Sequence, residues 1–230
     1  MNISGIQKLT LLDFPGRLAC TVFTTGCNFR CPFCHNATLV LPGKGEHIDT
    51  EQVISFLKKR EGVLEGVCIT GGEPCFQDGI EEFIQEVRSM GFLVKLDTNG
   101  SFPEKLSSLL EKKLLDYVAM DIKTSKENYL RVCGIKNERL LQNVIESVEI
   151  LKKSSVEHEF RTTTAKELQK SDDFERIGEW LKGEKSYFIQ QYRADGELIG
   201  EELTPYEKEE LLTFADIMRR YVTNVDICGV

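Results

Sequence analysis

The chain has 230 residues, 41% of them hydrophobic, and a formal net charge of −8. That length suits one well-filled core or a large single α/β domain, and the negative balance gives no electrostatic reason to bind nucleic acid. No stretch approaches the ~20 consecutive apolar residues of a membrane span, and the opening Met1-Asn-Ile-Ser-Gly-Ile-Gln-Lys8 lacks the pattern of an export signal. The expectation is a cytoplasmic protein without a nucleic-acid or membrane partner. Its eight cysteines then point to reduced thiols and metal ligation rather than a disulfide framework.

In chain order, the residues before Ala19 read as a short N-terminal strand or hairpin (1–18) beginning at Ile6. Apolar, β-branched runs predict strands at Ala19–Thr25, Val67–Thr70, Leu93–Thr98, Tyr117–Ile122, His158–Thr163 and Tyr187–Tyr192. Helical patterns lie between them. Thr50 caps one running to about Arg60, and Asp78 caps the next, whose Ile80, Phe83, Ile84 and Val87 share a face. Pro103 suits the first turn of a third. Leu140, Leu141, Val144, Ile145, Val148 and Leu151 give the clearest helical period, and helices near Phe174–Leu181 and about 205–221 complete the series. Strand alternating with helix implies βαβ units and a mostly parallel sheet. The expected fold is α/β: one domain over 1–230, a partial (β/α)6 TIM-like barrel rather than a closed eight-stranded one. Residues 35–49, with Pro42, Gly43 and Gly45, form the longest loop.

In this fold class the active groups sit at the C-terminal ends of the parallel strands. The first strand is followed by Cys27-Asn-Phe-Arg-Cys31-Pro-Phe-Cys34-His35 and the second by Gly71-Gly72-Glu73-Pro74. Then come Asp97-Thr98-Asn99-Gly100, Asp121-Ile122-Lys123, Arg161-Thr162-Thr163 and Gln190-Gln191-Tyr192. Every strand end is polar or metal-binding, and all point into one mouth. Three cysteines are one ligand short of a closed zinc site or an all-cysteine iron–sulfur cluster, and an open coordination position is where a metal centre does chemistry. A zinc-binding interaction module, closed by His35 or a distant ligand, is the alternative reading of the same residues.

The Cys-x3-Cys-x-aromatic-Cys run, with Phe33 as the aromatic residue, resembles the signature of radical S-adenosylmethionine (SAM) enzymes. The resemblance implies that Cys27, Cys31 and Cys34 hold a [4Fe-4S] cluster whose fourth iron is chelated by SAM. Reductive cleavage of SAM then gives a 5′-deoxyadenosyl radical that abstracts a hydrogen atom. Gly71, Gly72 and Glu73 resemble the motif that binds the methionine ammonium, and Phe33 is placed to position the adenine. Asp97-Thr98-Asn99-Gly100 and Asp121-Ile122-Lys123 are similar to motifs of glycyl radical enzyme activating enzymes. There Asp97, Thr98 and Asp121 would hold a monovalent cation beside the SAM carboxylate. Lys123 and, at weaker matches, Asn99, Arg161 and Gln191 would contact SAM. The stretch from Gln7 to Gly16, continued into Thr24–Asn36, is similar to the activating proteins of anaerobic ribonucleoside-triphosphate reductase. The implied partners are that glycyl radical enzyme and a flavodoxin or ferredoxin-type electron donor. Activation of a pyruvate formate-lyase-type enzyme or action on a small molecule stays open.

The remaining cysteines read as packing or incidental groups: Cys20 and Cys68 inside strands, Cys75 beside the Gly-Gly-Glu turn, and Cys228 near the C-terminus. Arg131-Val132-Cys133-Gly134 looks like a glycyl radical motif, but Gly134 reads as a helix C-cap.

Overall fold

The computed structural model describes residues 1–34, 36–41, 47–193 and 198–229. His35 of the zinc alternative and Pro42, Gly43 and Gly45 of the long loop lie outside them. One sheet runs through the molecule in sequence order: β1 (Ile3–Thr10), β2 (Ala19–Thr24), β3 (Gly66–Gly71), β4 (Leu93–Thr98), β5 (Tyr117–Asp121), β6 (Glu157–Thr164), β7 (Ser186–Gln191) and β8 (Asn224–Cys228). β1 is antiparallel to β2, and every later neighbour is parallel. The helices are α1 (Ala37–Val40), α2 (Thr50–Lys58), α3 (Ile80–Ser89), α4 (Pro103–Glu111), α5 (Tyr129–Val132), α6 (Glu138–Lys153), α7 (Ser171–Trp180) and α8 (Lys208–Met218). Strictly sequential parallel strands joined through helices wind into the expected partial barrel.

The six expected parallel strands are β2 to β7. β8 was not anticipated. Only Val225 of its five residues is buried, so its sequence lacks the apolar run that marked the others. β1 begins at Ile3, not Ile6, because Ile3 is fully buried and pairs with Thr24. Two helix starts also differ. Asp49 occupies the cap of α2, and the Thr50 hydroxyl instead donates to the Met1 carbonyl at 3.4 Å. Gly79, in a left-handed conformation, takes the place expected of Asp78.

Helix periodicity sets what packs outside the sheet. Ile80, Phe83, Ile84 and Val87 of α3 are buried as their spacing requires. On the far side, the Phe174 and Phe214 rings of α7 and α8 stack at 4.3 Å, with Tyr206 edge-on to Phe214 at 4.8 Å. α6 buries Val144, Ser147, Val148 and Leu151. The serine in this apolar stripe has a task at the strand ends.

Candidate active site

The cysteine loop leaves β2 with its backbone tied down at once: Thr25 N–H donates to Asn2 and Gly26 N–H to Leu39. Phe29 anchors the loop. It is 2% exposed and meets the Tyr129 ring edge-on at 6.5 Å, which leaves the flanking cysteines toward the barrel mouth. Arg30 N–H donates to the Cys133 carbonyl at 3.0 Å, and Cys34 N–H to Cys31 O at 3.1 Å. Gly134 has φ +60°, and a Cβ there would lie 2.2 Å from the Arg30 carbonyl. It therefore ends α5 as expected and also lets α5 press on the cysteine loop.

Cys27, Cys31 and Cys34 line one cavity of about 380 Å³ together with Phe33, Gly71, Gly72, Asp97, Thr98, Asn99, Asp121, Lys123 and Arg161. That volume is in the range of small-molecule sites. Phe29 N–H and Asn99 Nδ2 donate to Cys27 Sγ at 3.4 and 3.7 Å. Burial, reinforced by the Glu73 charge, pushes the Cys27 thiol up to about 12, and burial raises Cys34. Cys31 is lowered, first by its hydrogen bond with the Cys133 thiol. Raised thiols stay protonated near neutral pH unless a metal takes the proton's place.

The Gly-Gly-Glu turn packs against the start of this loop. Gly72 N–H donates to Thr24 O at 2.9 Å and Glu73 N–H to Gly26 O at 2.8 Å. A Cβ on Gly72 would fall 2.0 Å from Gly26 O, and one on Gly71 2.4 Å from Thr24 N. The close approach these glycines permit is to the chain itself, whereas the resemblance set the turn against the methionine ammonium. Glu73 also differs from expectation. Its carboxylate is fully buried and is not on the cavity wall. Oε1 accepts from Cys75 N–H at 2.9 Å and Thr98 Oγ1 at 2.8 Å, and Oε2 from Asn99 N–H at 2.6 Å. Burial raises its pKa to about 7, against the pull of those three donors. Only the glycine part of the turn faces the cavity.

The part of the lining that comes from β4, β5 and β6 is ionic. Asp97 pairs with Lys95 through one oxygen and with Arg161 Nη1 through the other, at 3.3 Å for the arginine. Asp121 takes Arg161 Nε at 3.1 Å and Lys123 Nζ at 2.7 Å. Lys123 also lies 5.7 Å over the Phe33 ring. Burial works against the Asp121 charge, but Lys123 and Arg161 outweigh it and draw its pKa down to about 2. The Thr98 hydroxyl is committed to Glu73 and to Gly100 N–H.

Asn99 joins this wall to the cysteine loop: its Nδ2 donates to Asn28 Oδ1 at 3.1 Å as well as to Cys27. Its Oδ1 accepts from Ser101 N–H at 2.9 Å. Buried Ser147 of α6 donates to Gly100 O at 2.7 Å, and Asn143 Nδ2 to Ser101 O at 2.9 Å. Asn28, Ser101, Asn143 and Ser147 were missed by sequence reasoning. The polar Ser147 inside an apolar helical stripe was their one visible signal.

Gln191 was expected at the cofactor, but its Nε2 donates to the Tyr206 carbonyl on the outer side. Gln190 lines the cavity instead, with Thr163 Oγ1 donating to its Oε1 at 3.3 Å. Strand alternation explains this: Tyr187 and Ile189, both fully buried, share Gln191's face, and a one-residue slip reverses every side chain. Cys20, Cys68 and Cys75 are buried and absent from the cavity wall, and Cys228 is exposed.

Residues 21–181, the span that holds the cysteine loop and four of the five strand ends after it, match the Radical SAM superfamily. The chain belongs to the radical SAM superfamily. It is thus a radical SAM enzyme, and the family implies a [4Fe-4S] cluster and SAM. The chain is 33% identical over 234 residues to a Methanocaldococcus jannaschii protein provisionally named a glycyl-radical enzyme activating enzyme, covering 98% of this chain and 95% of that one. It is 31% identical over 167 residues to the GTP 3′,8-cyclase of Helicobacter pylori strain HPAG1, covering 70% of this chain and 51% of the cyclase. In fold it is similar to Streptococcus suis SuiB bound to S-adenosylmethionine, with a TM-score of 0.67 at 14% identity, over 89% of this chain and 48% of that one.

The radical SAM cofactors fit the residues present. A four-iron cluster gives each cysteine an iron of its own, so its ligands are spread apart. A zinc ion instead requires all ligands at bonding distance from one point. Among the described residues, no three His, Cys, Asp or Glu side chains are gathered as ligands of a single metal ion. Three thiols lining one cavity, N–H donors on a sulfur, and the Lys123 and Arg161 cations on the same lining suit a cluster with a carboxylate-bearing cofactor.

Proposed function

We propose that this radical SAM enzyme creates a glycyl radical on a partner protein, and that the partner is an anaerobic ribonucleoside-triphosphate reductase. The observation that carries the activating-enzyme part of the reading is the near end-to-end match to the M. jannaschii protein provisionally named as one; the choice of the reductase rests on the sequence resemblance of Gln7–Gly16 and Thr24–Asn36. In this reading Cys27, Cys31 and Cys34 hold the cluster. Phe33 and Asn99 border the adenosine side, the Gly71–Gly72 backbone meets the methionine ammonium, and Lys123 and Arg161 neutralise its carboxylate. When bound, the cluster and SAM supply one-electron reductive cleavage and a carbon radical that takes one hydrogen atom from the target. The electron comes from a flavodoxin or ferredoxin-type donor. In that reaction the target Cα–H bond would break homolytically, the hydrogen atom would leave with 5′-deoxyadenosine, and one electron would stay on the glycine.

The test is anaerobic incubation of reconstituted enzyme, SAM and reductant with an anaerobic ribonucleotide reductase. The expected result is a glycyl radical doublet in the reductase EPR spectrum that requires SAM. 5′-Deoxyadenosine formed without that doublet, with a pyruvate formate-lyase-type enzyme accepted instead, would replace the partner. A small-molecule reaction is the second reading, favoured by the likeness to GTP 3′,8-cyclase over about half of that protein's length.

A further inference from the structure

The oxygens that a monovalent cation would need are already taken by cations of the chain. One oxygen of Asp97 holds Lys95 and the other holds Arg161. One oxygen of Asp121 holds Arg161 and the other holds Lys123. Thr98 Oγ1 donates to Glu73 at 2.8 Å and accepts from Gly100 N–H at 3.1 Å, so it too is committed. A hard monovalent ion is held by oxygen lone pairs. Placed here it would share every carboxylate oxygen with a charged N–H donor and the Thr98 oxygen with the Gly100 N–H, and it would stand beside an ammonium and a guanidinium of its own sign. The donor set therefore does not fit an inorganic cation.

Lys95 is the unusual member. It is 2% exposed, and lysine is almost never buried without a partner. Its ammonium is held by Asp97, by Cys68 Sγ at 3.9 Å and by the face of Tyr117 at 5.9 Å. Lys95 does not itself line the cavity, and its ion-pair partner Asp97 does, so its charge serves that carboxylate. Arg161 spans Asp97 and Asp121, the place where a bridging ion would sit.

We propose that Lys95, acting through Asp97 together with the bridging Arg161, replaces the inorganic monovalent cation, so that SAM binding by this enzyme needs no alkali ion. Lys95 is a positioning residue: it neutralises one oxygen of Asp97 and leaves the guanidinium of Arg161 to span the two aspartates. The inference rests on the reading of the cavity as the SAM site.

The test measures the SAM dissociation constant of the anaerobically reconstituted holoenzyme in potassium, sodium and choline chloride at equal ionic strength, and thallium(I) binding by equilibrium dialysis. The native enzyme is expected to bind SAM within about twofold in all three salts and to show no stoichiometric thallium(I) site. Lys95→Met is expected to lose about tenfold in SAM affinity in choline, to recover it in potassium or sodium, and to gain a thallium(I) site. A merely structural loss would not be rescued by an ion. A native enzyme that loses about tenfold in choline, or that binds thallium(I) stoichiometrically, overturns the proposal. So does a Lys95→Met enzyme whose SAM affinity ignores the salt. If that variant does not fold, the two native measurements decide alone. Failure to bind SAM in every salt contradicts the functional reading instead, which keeps the two apart.

Discussion

Glu73 and Asp121 are carboxylates at the ends of strands on the same barrel mouth, and the structure uses them in opposite ways. Glu73 receives three neutral donors, from Cys75, Thr98 and Asn99, and burial holds its pKa up at about 7. Asp121 is opposed by burial too, yet Lys123 and Arg161 pull it down to about 2. The difference is the charge of the partner. Neutral donors knot a turn together, whereas cations make a charged wall that can face a ligand. A carboxylate at a strand end is therefore not a binding group by position alone; what already occupies its oxygens decides.

The largest effect should come from Glu73→Ala. It strands three buried donors, and desolvation without a partner predicts a loss of about 4 kcal/mol in denaturant unfolding. A variant that keeps its stability but loses SAM affinity would break the contrast by placing Glu73 on the ligand. The charge gives a second check. A carboxyl raised on folding binds its proton more tightly when folded, so its ionisation removes stability as pH rises from the ordinary carboxyl value toward 7. Glu73→Gln should flatten that part of the stability curve.

Asp121→Asn comes next. The pair is partly exposed, 25% for Asp121 and 15% for Lys123, so the expected loss is only about 1–2 kcal/mol near neutral pH. The sign is opposite to that of Glu73. A lowered carboxyl contributes stability above its ordinary value and loses it as pH falls toward 2. The variant should lack this share of the acid destabilisation. A variant as acid-sensitive as the native enzyme would contradict the ionic account of the wall.

The smallest effect lies away from the mouth, at His158, whose ring nitrogens meet Val156 O at 2.9 Å and Glu184 Oε2 at 2.8 Å. Burial, the largest single influence, lowers its pKa, but the hydrogen bonds to Glu184 and Val156 and the Glu184 charge together outweigh it and the net shift is upward. Its contribution is full below the ordinary histidine value and is lost as pH rises through the folded one. His158→Gln should remove up to about 1 kcal/mol of that pH-dependent stability and leave SAM binding unchanged. Calorimetric melts across this pH range check it.

The strands and helices were legible because burial on both faces of a parallel sheet leaves apolar runs, and one-sided burial leaves a helical period. β8 was not, since only Val225 is buried along it. The cysteine run and the strand-end aspartates were legible as groups. Their pairing was legible only in part: Lys95 stands two residues before Asp97 on β4 and shares its face by strand alternation, whereas Arg161 reaches Asp97 from β6, and no local pattern encodes that second meeting. The expected Gln191 gives way at the cavity to its neighbour Gln190 through a strand register that two adjacent glutamines do not reveal. The Gly-Gly-Glu turn was read as a ligand-binding motif, but what its glycines approach closely is the Thr24–Gly26 backbone.

The most direct test of the central claim is a count of iron, sulfide and 5′-deoxyadenosine after anaerobic reconstitution. The native enzyme should hold about four irons and four sulfides per chain, change its reduced EPR signal on adding SAM, and release 5′-deoxyadenosine with a reductant. Cys27→Ala, Cys31→Ala and Cys34→Ala should each lose the cluster and that product. Zinc in place of iron and sulfide, or a loaded native enzyme that neither responds to SAM nor cleaves it, would contradict the account.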